Sequence, residues 1–120
     1  ERWGIAHHPA SKFRDLTKYQ WGANSPANNP VDTWLVQRKK MPPPRYRFYW
    51  QDLTALALWI QNTPGAASVL PRHAVTSAVK AGRIEFDELG PSATSRLFLA
   101  YHRETSHKRL IQALINMNEN

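Results

Sequence analysis

The sequence has 120 residues, with 42% hydrophobic and 21% charged side chains, and this composition excludes a wholly disordered chain. Cysteine is absent, which excludes a disulfide scaffold, a thiolate metal site and a cysteine nucleophile. No apolar run approaches the roughly 20 residues that span a bilayer, so we expect no membrane partner. The length predicts a single domain over residues 1–120. Because the chain starts at Glu1, we expect it to be part of a longer protein.

The chain is basic, with 16 Lys and Arg against 9 Asp and Glu and a net charge of +7. Residues 1–50 carry nine basic and three acidic side chains, whereas residues 51–120 carry seven and six. The only dense basic stretch is Arg38 to Lys40, followed by Arg45 and Arg47. A solvated helix end with a basic strand explains this stretch, and so does a nucleic-acid groove or a surface for an anionic ligand or partner.

Apolar periodicity and turn residues predict strands that alternate with helices. The predicted strands cover residues 3–6, 19–22, 45–50, 66–70, 83–86 and 96–101. The predicted helices cover residues 30–40, 53–61, 73–81 and 106–117. Asn29 and Pro30 form a typical helix start, and Gly82 is a typical helix end. Short connections between alternating elements favour an α/β fold with a mostly parallel sheet flanked by helices.

The sequence carries no catalytic or cofactor motif, such as a phosphate loop, a dinucleotide-binding glycine pattern or a nucleophile elbow. Its histidines are not at metal-ligand spacing, and exposed or satisfied histidines explain them. Glu85 and the pair Asp87-Glu88 could imitate a catalytic carboxylate pair, although a solvated strand end explains them as well. We therefore expect a protein that is not an enzyme, with no cofactor and no metal site.

One segment resembles a known family. The run from Tyr46 to Gln61, followed by Pro64-Gly65-Ala66 and the strand that ends Ser68-Val69-Leu70-Pro71, is similar to a segment of the LysR-type transcriptional regulators. The continuation through Ala81-Gly82-Arg83-Ile84 resembles the next helix stop and strand of that family. Upstream, His8-Pro9, Asp15-Leu16 and Tyr19-Gln20-Trp21 resemble the entry to its second regulatory subdomain. Downstream, Arg96–Arg103 and the terminal helix resemble its return strand and closing helix.

The resemblance implies a partial effector-binding domain with a periplasmic-binding-protein-like fold, from the C-terminal portion of such a regulator. It implies a cytoplasmic protein that senses a small-molecule effector and forms a homo-oligomer, a dimer or tetramer in the full-length protein. It also implies that DNA is contacted only through an N-terminal helix-turn-helix domain, which has no counterpart in this chain. Two other functions remain open from the residues: a free-standing solute-binding protein and a basic nucleic-acid-binding module.

The effector site is predicted from the position of polar loops after strands. In open α/β sheets, ligands bind outside the carboxyl ends of the strands. Asn24, Ser25 and Pro26 follow the second strand, and Trp50 and Gln51 end the third. We therefore expect these two loops to border one cleft, although a proline turn and a helix cap would explain the same residues.

A subunit interface is predicted on the helix 30–40 and the strand 45–50. The resemblance implies that these elements pack against a second protomer. Alternation along the strand separates Tyr46, Phe48 and Trp50 from Arg45, Arg47 and Tyr49. Arginine and aromatic residues are enriched at protein interfaces, and an edge strand offers unpaired backbone groups. The candidate interface residues are Val31, Trp34, Leu35, Tyr46 and Phe48.

Overall fold

A five-stranded sheet with helices on both faces forms the centre of the chain, as seen in a computed structural model that describes residues 2–26 and 29–90. The strands are β1 Trp3–His7, β2 Gln20–Ala23, β3 Tyr46–Tyr49, β4 Ala66–Pro71 and β5 Glu85–Glu88. Each corresponds to a predicted strand within a few residues. The predicted strand 96–101 and helix 106–117 lie outside the described residues.

The strand order is β3-β2-β4-β1-β5, and the sheet is mixed. β2 is parallel to β3 and β4, whereas β1 is antiparallel to β4 and β5. The predicted α/β fold is confirmed, but the prediction of a mostly parallel sheet needs this correction at β1. A helix lies between β2 and β3, between β3 and β4, and between β4 and β5, and these four strands all run in one direction. Between β1 and β2 lies only a 3-10 turn, Leu16–Lys18, so no crossover helix sets the direction of β1.

Three helical segments flank the sheet. The first, α1 Pro30–Asp32, continues directly into a π-helical segment, Thr33–Arg38. The second, α2 Leu53–Asn62, is a regular α-helix, and α3 Thr76–Lys80 follows a 3-10 turn, Arg72–Ala74. These segments occupy the positions predicted for helices at 30–40, 53–61 and 73–81, with the third one shorter than predicted.

The helix ends follow the predicted capping chemistry. Asn29 has an extended backbone, and its Oδ1 accepts a hydrogen bond from the backbone N–H of Asp32 at 2.8 Å. Asp52 caps α2 in a similar way, since its Oδ1 accepts from the N–H of Thr54 at 2.9 Å. After α3, Gly82 adopts a positive φ of 74°, a conformation that glycine adopts without strain.

Two apolar clusters hold the three layers together, one on each face of the sheet. Alternation along the strands separates them: Ile5 faces one cluster and Ala6 the other, and Val69 and Leu70 divide in the same way. The first cluster joins the sheet to α1 and the π-helical segment through Val31, Trp34 and Leu35. The second cluster joins it to α2 and α3 through Leu56, Ala57, Ile60 and Ala78. Because β4 is central and covered on both faces, all six of its residues are buried.

Candidate functional site

A cavity of about 250 Å³ lies at the carboxyl ends of β2 and β4. We call it the carboxyl-edge cavity. Four polar side chains line it: Asn24, Gln51, Ser68 and His73. The remaining lining residues are Trp3, Ala23, Pro30, Val31, Leu53, Leu56, Val69, Leu70 and Pro71. The cavity therefore has mainly apolar walls with a few polar groups, as small-molecule sites commonly do.

The direction of the strands explains why these residues meet. β2 and β4 are parallel, with Trp21 opposite Ala67, so their carboxyl ends reach the same edge of the sheet. The loop after β3 reaches this edge too, because the backbone N–H of Trp50 donates to the carbonyl of Ala23 at 3.0 Å. This hydrogen bond holds the residues before α2 beside the residues after β2.

The structure brings together two of the five predicted effector-site residues. Asn24 and Gln51 both line the carboxyl-edge cavity. Ser25, Pro26 and Trp50 are not among its described lining residues. The carbonyl of Ser25 accepts a hydrogen bond from Nδ2 of Asn29 at 2.9 Å, Pro26 is exposed, and Trp50 is half exposed. A role for any of the five in ligand binding stays a prediction.

Sequence reasoning missed Trp3, Ser68 and His73. Ser68 is 1% exposed, and its position as a polar residue inside the apolar run 66–70 was an available signal. Trp3 reaches the cavity because β1 is antiparallel to β4, so that Trp3 pairs with Pro71 at the end of β4. The position of Trp3 at the cavity depends on the antiparallel direction of β1, which the sequence did not predict.

Asn24 lines the cavity and also carries a buried polar atom. Its Oδ1 is buried and has no hydrogen-bond partner within the described residues. A buried carbonyl oxygen without a partner costs free energy relative to one that is solvated or bonded. The unpaired oxygen is thus a local cost to the stability of the fold, and it is closed off from the open space of the cavity.

The carboxyl-edge cavity carries little charge. Over residues 2–26 and 29–90, its lining includes no Lys, Arg, Asp or Glu, and His73 is its one titratable side chain. Asp52 lies between the lining residues Gln51 and Leu53, and its carboxylate is engaged at the start of α2. The described lining thus offers neither a Lys or Arg side chain to an anion nor a carboxylate to a cation.

The predicted interface residues are divided between the core and the surface of β3. Val31, Trp34 and Leu35 are 1%, 7% and 1% exposed, and they pack inside the domain's own first cluster. Tyr46 and Phe48 are partly buried. Tyr46 packs against the first cluster and Phe48 against the second, so these two residues do not share the face that simple alternation predicts. The register between β2 and β3 shifts here, since Tyr46 pairs with Trp21 and Phe48 with Gly22. Arg45, Arg47 and Tyr49 are exposed. β3 is an edge strand of the described sheet, as predicted. A role in subunit contact stays a prediction.

A second, basic groove lies at the amino ends of β2 and β3. It measures about 390 Å³ and is lined by Lys18, Arg45 and Arg47 together with the three prolines from Pro42 to Pro44. The positive charge that the sequence concentrates in residues 1–50 thus lies partly at the edge opposite the carboxyl-edge cavity. The carboxylate of Asp15 lies near this positive charge. Hydrogen bonds from Thr17 lower the pKa of Asp15 below its usual value, and the nearby Lys18 lowers it further.

The buried histidine of β1 has structural partners. His7 is fully buried on β1, with Nδ1 3.0 Å from the carbonyl of His8 and Nε2 3.1 Å from Oδ2 of Asp87. Asp87 also lies 3.7 Å from the ammonium of Lys12. No group of three or more side chains that could hold a metal ion occurs within residues 2–26 and 29–90. Among the helices of these same ranges, none has the length and apolar character needed to cross a bilayer.

The structure is an α/β domain with a mainly apolar cavity at the carboxyl edge of its sheet, and comparison with protein families identifies the domain further. The family described as LysR substrate binding domain matches residues 4–119. The chain therefore belongs to this family, and the resemblance found in the sequence is confirmed. The family gives the chain the class of a regulatory, periplasmic-binding-protein-like domain. A search of the curated proteins finds no match.

Proposed function

We propose that this chain is the effector-sensing domain of a LysR-type regulator and that it binds a small molecule in the carboxyl-edge cavity. The observation that carries the proposal is the convergence of Asn24 and Gln51, from the loops after β2 and β3, on one mainly apolar cavity. Family membership over residues 4–119 supports a regulatory role for that cavity. The domain performs no covalent chemistry in this proposal, and its ligand is an effector, not a substrate.

The proposed mechanism is a shift between two arrangements of the regulator. An effector that binds one arrangement more tightly than the other moves the equilibrium by its differential affinity. A ligand that contacts both Asn24 and Gln51 would favour the arrangement in which the two loops form the cavity. In the full-length regulator, which we propose to be a cytoplasmic homo-oligomer, this change would reach DNA through a helix-turn-helix domain.

The proposal is tested by NMR on the isotopically labelled chain, with uncharged aromatic fragments as probes. We expect fragment-induced shifts to concentrate at the side-chain amides of Asn24 and Gln51 and at the backbone of Ser68. The variant Asn24→Ala should weaken fragment binding, whereas Asn62→Ala, on an exposed part of α2 away from the cavity, should leave it unchanged. Shifts that cluster only at the basic groove, around Arg45 and Arg47, would contradict the proposal.

A further inference from the structure

We propose that His7 on β1 and two carboxylates of β5, Glu85 and Asp87, form a proton-dependent clasp between these strands. The clasp is closed when the imidazole of His7 carries a proton on both nitrogens, and it loosens when one of these protons is lost. The proposal is independent of the carboxyl-edge cavity, because His7 lies at the other end of β1, where it pairs with Ala67 near the start of β4.

The register between β1 and β5 explains why these side chains meet. The strands are antiparallel, with His7 directly opposite Glu85 and Ile5 opposite Asp87. Side chains two positions apart on a strand share a face, so both carboxylates of β5 flank the imidazole. Nε2 of His7 lies 3.1 Å from Oδ2 of Asp87 and 3.7 Å from Oε2 of Glu85. Two carboxylates thus converge on one nitrogen of a side chain that is 0% exposed.

The hydrogen-bond partners of His7 determine its charge state. Nδ1 lies 3.0 Å from the backbone carbonyl of His8, and a carbonyl oxygen can only accept. Nε2 faces the carboxylate of Asp87, which also only accepts when it is ionised. A neutral imidazole has one N–H, so either tautomer would leave a buried lone pair against an oxygen. Only the imidazolium, with two N–H donors, satisfies both contacts.

The other groups around the clasp fit an imidazolium at this position. Nζ of Lys12 lies 3.7 Å from Oδ1 of Asp87, so the carboxylate has a second cationic partner on its other oxygen. The ring of Tyr19 lies 5.7 Å from that of His7, within the range over which aromatic rings attract cations. The hydroxyl of Tyr19 accepts a hydrogen bond from the backbone N–H of Phe13, so it is engaged away from the clasp.

The neighbouring histidine has the opposite arrangement. Nδ1 of His8 accepts a hydrogen bond from the backbone N–H of Ala10 at 3.0 Å, so this nitrogen carries a lone pair. His8 is therefore neutral in the same structure in which His7 is charged. It provides an internal reference for the protonation of His7.

Loss of one proton from His7 releases its contact with β5. The acceptor at Nδ1 is a backbone carbonyl, which is fixed by the main chain, whereas the side chain of Asp87 is 45% exposed and has Lys12 as another partner. The remaining proton therefore stays on Nδ1, and the lone pair on Nε2 repels the carboxylate toward solvent. β5 is an edge strand of the described sheet and pairs there with β1 alone. Because histidine changes charge between about pH 5 and about pH 8, the clasp is closed on the acid side of this range and loosens on the alkaline side.

Nitrogen-15 NMR of the imidazole rings tests the proposal, because a protonated ring nitrogen and one with a lone pair have well-separated chemical shifts. The chain is titrated from about pH 5 to about pH 9, which brackets the range in which histidines change charge. We expect His7 to keep both protons at pH values at which His8 has already lost one. The hydrogen-exchange protection factors of the β5 amides should fall about tenfold as His7 loses its proton, since one hydrogen bond contributes about that factor.

Variants on β5 assign the effect to Asp87. In Asp87→Asn, the side-chain amide can donate to a neutral Nε2, so we expect His7 to lose its second proton about one pH unit or more below the wild type. Glu88→Gln is the matched control, because it removes a charge from the same strand beside Arg2, at 3.4 Å, and it should move the titration of His7 much less. Glu85→Gln, at a half-exposed side chain, should act in the same direction as Asp87→Asn, and it keeps the test decisive if Asp87→Asn fails to fold.

Three results would overturn the clasp. The first is a titration in which His7 loses its proton together with His8 or before it. The second is an equal response of His7 to Glu88→Gln and to the variants of Asp87 and Glu85. The third is a protection of the β5 amides that stays constant while His7 titrates, because the charge would then have no control over the pairing of β1 with β5.

Discussion

A methyl group at Gly22 would lie 2.5 Å from Cζ3 of Trp59, so β2 and α2 approach too closely here for any side chain. The same methyl group would lie 2.9 Å from Cδ1 of Leu56. Trp59 cannot move aside freely, because its ring stacks on that of Phe48 with centroids 5.0 Å apart and planes inclined by 5°. The close packing also sets the distance between β2 and the helix that carries Leu53 and Leu56 into the carboxyl-edge cavity.

The first prediction concerns this contact. We expect Gly22→Ala to lower the free energy of unfolding by about 1–3 kcal/mol, since overpacking forces the backbone or the aromatic stack to shift. Urea denaturation of the chain measures the change. Gly90→Ala is the matched control, because no atom of the described residues lies within 4 Å of its added methyl group and the residue is exposed. Equal effects of the two substitutions would contradict the close approach.

The second prediction concerns the cap of α1. Asn29 is 1% exposed, and its amide serves four groups: the N–H of Asp32, the carboxylate of Asp32 at 3.4 Å, the hydroxyl of Tyr46 at 3.1 Å and the carbonyl of Ser25. We expect Asn29→Ala to destabilise the chain by about 1–2 kcal/mol, and Asn29→Ser, which retains capping, to cost less. Thermal or urea unfolding checks both. Asn62→Ala is the control, because the side chain of Asn62 is exposed. An equally large loss of stability in Asn62→Ala would contradict the structural role of Asn29.

The third prediction is a pH dependence at Tyr46. Burial, followed by its hydrogen bond to the carboxylate of Asp32, raises the pKa of Tyr46 well above its usual value. The folded chain therefore holds this phenolic proton at a pH where the unfolded chain releases it, which is near pH 10. Unfolding then becomes easier as the pH rises above about 10, because only the unfolded state gains the favourable ionisation.

Comparison of two phenylalanine variants checks this pH dependence. The wild type and Tyr49→Phe, which alters an exposed tyrosine on the same strand, should lose stability in parallel above about pH 10. Tyr46→Phe should lose less per pH unit, although it starts from a lower stability because its hydrogen bonds are gone. If all three chains respond identically to alkaline pH, Tyr46 titrates normally and the prediction is wrong.

The sequence predicted those elements that local chemistry determines. Asn29 and Pro30 marked the start of α1, and Gly82 marked the end of α3. Both features depend on capping and backbone freedom, which act within a few residues. Alternation in the strand 45–50 placed Tyr46 and Phe48 on one face, which is wrong, because the register shift against β2 sends them to opposite faces. The family resemblance came from the same local signals in their order along the chain.

The parts that the sequence did not predict depend on contacts between distant segments. The direction of β1 is set by its pairing with β4 and β5, which are distant along the chain, as in the pair of Ile5 with Val69. The same pairing brings Trp3 to the carboxyl-edge cavity. Similarly, the apolar face of the helix 30–40 indicates burial, but only the fold shows that its own sheet covers Val31 and Leu35.

The last prediction concerns self-association, and the structure changes how it must be tested. Trp34 is 7% exposed, so a charge placed there would unfold the domain and give no information about an interface. The surface left for a second subunit is the exposed part of the edge strand β3, where Arg47 and Tyr49 are exposed beside Trp50, which is 50% exposed. We expect the wild-type chain to associate at micromolar concentration. The double variant Arg47→Glu, Tyr49→Ser should shift the equilibrium toward the monomer in sedimentation experiments.

The control is Leu58→Ser, which removes an exposed apolar side chain from α2 and should leave the association unchanged. A wild-type chain that remains monomeric at high micromolar concentration would refute this prediction, and equal weakening by Leu58→Ser would place the contact on α2.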